Sequence, residues 1–152
     1  MNPHDELLHE TLKVLGNKNW VEISYVNPFG FREVSYPTRI NVSITEFLED
    51  SVAIDTNIYD TCVLHILLGC GVKFDILEKV INKCLDTFSS VVVLEHDKTS
   101  SDWSNDSLRR EHSIDNCLSG EELLKVADKN NWNCSDILYM ANNRNLIVEL
   151  SR

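Results

Sequence analysis

Between Leu64 and Asp75 the chain reads LHILLGCGVKFD. An apolar run breaks at Gly69-Cys70-Gly71 and resumes near Phe74 with a different period. A nucleotide-type loop needs several glycines, because the backbone must approach the ligand and the next helix must pack close. The fingerprint G-x-G-x-x-G supplies three. Here Gly69 and Gly71 are followed by Val72, Lys73 and Phe74, with no third glycine. The stretch is therefore read as a turn between a buried strand and a helix, with glycine supplying positive φ.

The flanks support that reading. YDTCVLHILL (Tyr59 to Leu68) is almost continuously apolar, as expected of a strand buried on both faces. After the turn, Leu77, Val80, Ile81, Cys84, Leu85 and Phe88 fall on one stripe, so a helix is expected over Phe74 to Phe88. SSVVVLEHD (Ser89 to Asp97) follows as a further strand. Upstream, WVEISYV (Trp20 to Val26) and RINVSI (Arg39 to Ile44) read as strands, and Asp5 to Leu15 has the spacing of an amphipathic helix. Downstream, Lys98 to Asn116 reads as a loop or short irregular helix, and Ser119-Gly-Glu-Glu122 is a capping box that opens a helix through Lys129. SDILYMA and NLIVELS, joined by Asn142-Asn143-Arg144, form a strand hairpin. This order predicts an α/β fold, its sheet mostly parallel with an antiparallel C-terminal hairpin and few helices. At 152 residues, one domain spanning 1–152 is expected.

Lys and Arg number 14 against 24 Asp and Glu, for a net charge of -10. Such a surface repels phosphate backbones, so no direct nucleic-acid partner is expected, whereas a basic protein partner is compatible. No leader-like segment opens the chain and no apolar run reaches the roughly 18 residues of a membrane span, so a soluble, cytoplasmic or otherwise intracellular protein is expected. The cysteines, at 62, 70, 84, 117 and 134, include no C-x-x-C pair. They read as free, mostly buried thiols in a reducing compartment, with no metal site.

From Ile40 to Arg152 the chain resembles the class I S-adenosylmethionine-dependent methyltransferases. INVSITEF is similar to that family's third strand and the acid after it, which places Glu46 as the adenine-contacting residue. YDTCVLHIL, with Asp60, Leu64 and His65, resembles its fourth strand. The long helix leading into VVVLEHD, and then the last helix and terminal hairpin, follow in the family's order. A Rossmann-like methyltransferase sheet is implied, with S-adenosylmethionine the cofactor of an active member and Glu22, Glu46, Leu64 and His65 at its site.

The N-terminal half departs from the pattern. Laying NWVEISYVNPFGF on the family's first strand sets Glu22 at the motif's acid, but the glycine positions become Ser24, Val26 and Pro28. Between Phe31 and Arg39 there is no room for the usual helix, second strand and helix, so the acid that holds the ribose has no counterpart. No cofactor pocket of its own is therefore expected.

His96 beside Asp97, at the strand end where α/β proteins bind ligands, is the candidate catalytic pair, a histidine near neutrality serving as general base. The plain alternative is a solvated strand end. His65 reads twice as readily as a buried, hydrogen-bonded structural histidine, and Glu22 as solvent-facing or paired. The functional expectation is a methyltransferase-like, non-catalytic regulatory or binding subunit acting with a protein partner or as a homodimer. The alternatives are a small methyltransferase completed by a second chain and an unrelated intracellular interaction protein. With about three good helices for six strands, part of the sheet or its flanking edge is expected to show an uncovered apolar patch.

Overall fold

The structure is a computed structural model that describes residues 19–24, 39–139 and 144–152. The helix expected over Asp5 to Leu15, the Asn27-Pro28 stop and the Asn142-Asn143 tip of the hairpin lie outside the described residues. Seven strands form one sheet: β1 (Trp20–Ser24), β2 (Arg39–Ser43), β3 (Thr61–His65), β4 (Ser90–His96), β5 (Asn133–Cys134), β6 (Leu138–Tyr139) and β7 (Asn145–Ser151). Their order is β2-β1-β3-β4-β7-β5, with β6 also on β7. The first four run parallel, and β7 runs antiparallel to β4, β5 and β6. The fold class is therefore the expected one, a mostly parallel Rossmann-like sheet with an antiparallel C-terminal pair.

The apolar runs explain the centre of the sheet. Every residue of β3 and β4 is buried, as strands covered on both faces must be. β1 is equally enclosed, with Trp20, Val21, Glu22 and Ile23 all at 1% exposure or less. Over β3, β4 and residues 20–23 of β1, the sheet therefore shows no apolar patch to solvent. Among the described residues the large apolar side chains that face solvent are Ile58, Leu124, Leu138 and Tyr139, the last two consecutive on edge strand β6.

Four α-helices are described: α1 (Ile44–Leu48), α2 (Phe74–Thr87), α3 (Asp106–Glu111) and α4 (Gly120–Lys129). α2 buries Leu77, Val80, Ile81, Cys84 and Leu85, the stripe read from the sequence. α4 starts as its capping box predicts: the Ser119 hydroxyl accepts the Glu122 N–H and the Glu122 carboxylate accepts the Ser119 N–H. Between β4 and α4 lie α3 and two 3-10 turns, Ser101–Trp103 and Ile114–Asn116.

Three details differ from expectation. The strand over Arg39 to Ile44 ends one residue sooner, because Ser43 and Glu46 make a second capping box that opens α1 at Ile44. Lys83 of α2 then closes that short helix by donating to the Phe47 carbonyl and to Asp50. Second, β2 pairs directly with β1, so the strand read as the family's third holds the place next to the first, where a doubly wound sheet puts its second. Third, the strand over Tyr59 to Leu68 ends at His65, because Ile66 turns to φ 51 and Leu68–Cys70 wind into a 3-10 turn closed by Gly71 at φ 92.

Candidate functional site

Parallel pairing brings Ser24, Ser43, His65 and His96 to one edge of the sheet, the edge where open α/β sheets place ligands. Antiparallel β7 enters there too, since its first residue, Asn145, lies opposite His96.

Of the four residues assigned to a cofactor, two bond each other. His65 Nδ1 lies 3.0 Å from Glu22 Oε1, with Glu22 0% and His65 1% exposed. The pairing crosses from β3 to β1 through the sheet's own packing, so Glu22 is paired rather than solvent-facing, and His65 is a buried, hydrogen-bonded histidine. Leu64 is buried in the core cluster. Glu46 is exposed, and its carboxylate accepts the Ser43 N–H at 3.0 Å.

His96 and Asp97 are neighbours in sequence with different partners. His96 Nδ1 lies 2.9 Å from Asn145 Oδ1. An amide oxygen only accepts, so the imidazole proton sits on Nδ1 and Nε2 carries the lone pair. The ring meets Trp103 edge-on at 5.0 Å and His112 at 5.2 Å. Burial lowers its pKa from 6.5 to about 4, and His112, His65 and Arg144 push the same way against the Asn145 bond. The Asp97 carboxylate instead accepts from Thr99 N–H at 3.0 Å and from its hydroxyl at 2.7 Å, while the Asp97 carbonyl accepts the Trp103 indole N–H. The two candidates therefore have separate hydrogen-bond partners: Asn145 orients the histidine, and Asp97 shapes the loop.

Beneath them lies a residue not assigned to the site from the sequence. Glu95, 4% exposed, accepts the N–H groups of Leu68 at 2.7 Å and Gly69 at 3.3 Å. Burial raises its carboxyl from 4.5 to about 7, although backbone N–H groups of Leu68, Gly69, His96 and Leu67 pull it back. This carboxyl holds the turn in which Ile66, a β-branched residue, sits in the left-handed region. Gly69 is needed there for closeness: a Cβ would stand 2.5 Å from His96 Cδ2 and 2.5 Å from Ile66 Cγ2. Gly71 is needed for its φ of 92, since the space around it is open to 3.9 Å. A buried acid at the end of an apolar strand was the available signal for Glu95. The contacts of Asn145, Trp103 and His112 depend on long-range pairing and had none.

Among the described residues no group of three His, Cys, Asp or Glu is arranged to hold a metal ion, and no helix is long and apolar enough to cross a membrane.

Comparison with protein-family models and with curated proteins gives no match. Comparison with solved structures does. The methyltransferase domain of bacterial CtHen1-CN superposes with a TM-score of 0.62 over 99% of this chain and 100% of its own, at 11% identity. An S-adenosylmethionine-dependent methyltransferase from Aquifex aeolicus gives 0.57 over 98% and 93%, at 9% identity. The fold is that of the class I S-adenosylmethionine-dependent methyltransferases. The pyocyanin biosynthetic protein PhzM gives 0.59 at 15% identity, and this methyltransferase-like chain spans 55% of its length. At these identities the likeness concerns the fold.

Proposed function

We propose that this methyltransferase-like domain is a non-catalytic subunit that works through a protein partner. The observation that carries the reading is the Glu22–His65 pair. The carboxylate that the resemblance assigns to the cofactor is sealed at 0% exposure and engaged by a histidine of the next strand. Leu64 is equally enclosed, and Glu46 is committed to a helix cap. At the positions that the resemblance gives to the cofactor loop's glycines the sequence has Ser24, Val26 and Pro28, residue types that lack glycine's capacity for close backbone approach to a ligand. As placed, Glu22, Leu64 and Glu46 do not present a site for S-adenosylmethionine. The partner is expected to be more basic than this chain, through charge complementarity with its net -10. A homodimer is the competing assembly.

Titration calorimetry of the purified chain with S-adenosylmethionine, and separately with its demethylated product, tests this. No saturable binding is expected at micromolar ligand. Saturable micromolar binding of either would overturn the reading.

One observation favours the second reading, a methyltransferase completed by another chain. Asn145 fixes His96 in the tautomer whose Nε2 accepts a proton, the form a general base requires.

A further inference from the structure

Two of the five thiols touch. Cys62 of β3 and Cys84 of α2 are both 0% exposed, and their sulfurs lie 3.6 Å apart, one thiol hydrogen-bonded to the other. The remaining cysteines differ: Cys117 donates to the Ser113 carbonyl, and Cys70 and Cys134 are partly exposed. We infer that Cys62 and Cys84 form a redox modification site, a latent disulfide that ties the central parallel strand β3 to the helix packed against it.

The geometry requires the two sulfurs to approach from contact to bonding distance, roughly 2.0 Å. Both side chains lie within one packed layer, so this is a local adjustment of β3 against α2. Burial selects the oxidant. A bulky disulfide such as oxidised glutathione meets the partly exposed Cys70 and Cys134 first. A small peroxide reaches the pair only when α2 breathes, and that opening also relieves the burial that pushes the Cys62 thiol up and keeps it from ionising in the closed core. The sulfur of one thiol attacks a peroxide oxygen, the O–O bond breaks, and the products are a sulfenic acid and one water. The second thiol attacks the sulfenic sulfur, the S–O bond breaks, and its proton leaves with the hydroxyl as a second water. Two thiols are oxidised by two electrons and one hydrogen peroxide is reduced to two waters. The neighbouring thiol intercepts the sulfenic acid before further oxidation can reach it.

The linkage encloses the segment that carries the Leu68–Cys70 turn and the Leu68 and Gly69 N–H groups held by Glu95. The oxidised form should therefore hold that edge of the sheet more rigidly and melt higher, an effect that reductant reverses.

Hydrogen peroxide treatment of the folded chain, followed by intact-mass measurement and peptide mapping without reduction, tests the site. The expected product has lost two hydrogens, carries a Cys62–Cys84 linked peptide, melts several degrees higher and returns to the starting mass with dithiothreitol. The variant Cys70→Ser/Cys117→Ser/Cys134→Ser, which leaves both core positions intact, should give the same product, and Cys84→Ala should not. Stable sulfinic acid at Cys62 without a linkage would overturn the inference. So would a linkage through another cysteine, or a triple variant that stays reduced and folded through a full peroxide titration.

Discussion

A methyl group on Gly69 would collide with the His96 ring and with Ile66, whereas one on Gly71 would meet open space but force an L side chain to φ 92. The two glycines of one tripeptide thus fail for different reasons when replaced. Gly69→Ala should cost about 1–3 kcal/mol by overpacking and shift the His96 ring resonances. Gly71→Ala should cost about 1–2 kcal/mol by backbone strain and leave those resonances in place. Chemical denaturation with histidine NMR separates the two. Only part of this was legible. Glycine at a turn is a sequence signal, but the close approach of His96, which comes from another strand, exists only once β3 and β4 pair. The same limit applies to Glu95 and His96 as titrating groups. Glu95 has a folded pKa raised from 4.5 to about 7, so its contribution to stability is full below 4.5 and is lost as pH rises through 7. His96 has a folded pKa lowered from 6.5 to about 4, so its contribution is full above 6.5 and is lost as pH falls through 4. Between pH 4.5 and 6.5 the two slopes oppose each other. Glu95→Gln should remove one of them, and its melting temperature should then climb with pH from 4 to 6.5 more steeply than that of the parent chain. Equal slopes in thermal melts across that range would count against the buried-carboxyl assignment.

One capping signature occurs twice among the elements. Ser119-x-x-Glu122 opens α4 and was legible because a clear amphipathic run follows it. Ser43-x-x-Glu46 opens α1 by the same reciprocal hydrogen bonds. It was hidden because the five-residue helix has no room for a periodic stripe and directly follows strand β2. Ser119→Ala should cost about 1 kcal/mol in urea unfolding, the ordinary worth of such a cap. The long or strongly apolar elements were readable for the complementary reason: α2 buries a stripe that impresses a helical period, and β3, β4 and β7 bury nearly every residue and so read as continuous apolar runs. α3 and its flanking 3-10 turns lack that imprint, since α3 buries none of its residues and is held by Asn105 at its N-terminus and by Arg109 bridging to Asp115.

For the whole molecule, the order of elements carried the fold, while the placement of β2 beside β1 could not be read. Adjacency in a parallel sheet is decided by crossovers, and the stretch of sequence between β1 and β2 shows no period. The proposal of a partner belongs to this scale. Sedimentation of the chain alone should give either a monomer or a two-fold dimer, and a basic partner should raise the sedimenting mass with an affinity that falls as salt rises. Salt-independent association would point to the apolar edge at Leu138 and Tyr139 instead. The antiparallel pairing of β4 with β7 has a consequence for biosynthesis. His96 and Asn145 are 49 positions apart, so a ribosome making about 5–20 residues per second leaves the open side of β4 without its neighbour for roughly 2–10 s. During that interval the nascent chain displays Val91, Val92, Val93 and Leu94 as an unpaired template, the kind of edge that recruits other chains. Slow codons between Asp97 and Arg144 would lengthen that exposure, and a holdase at the exit tunnel would shield it.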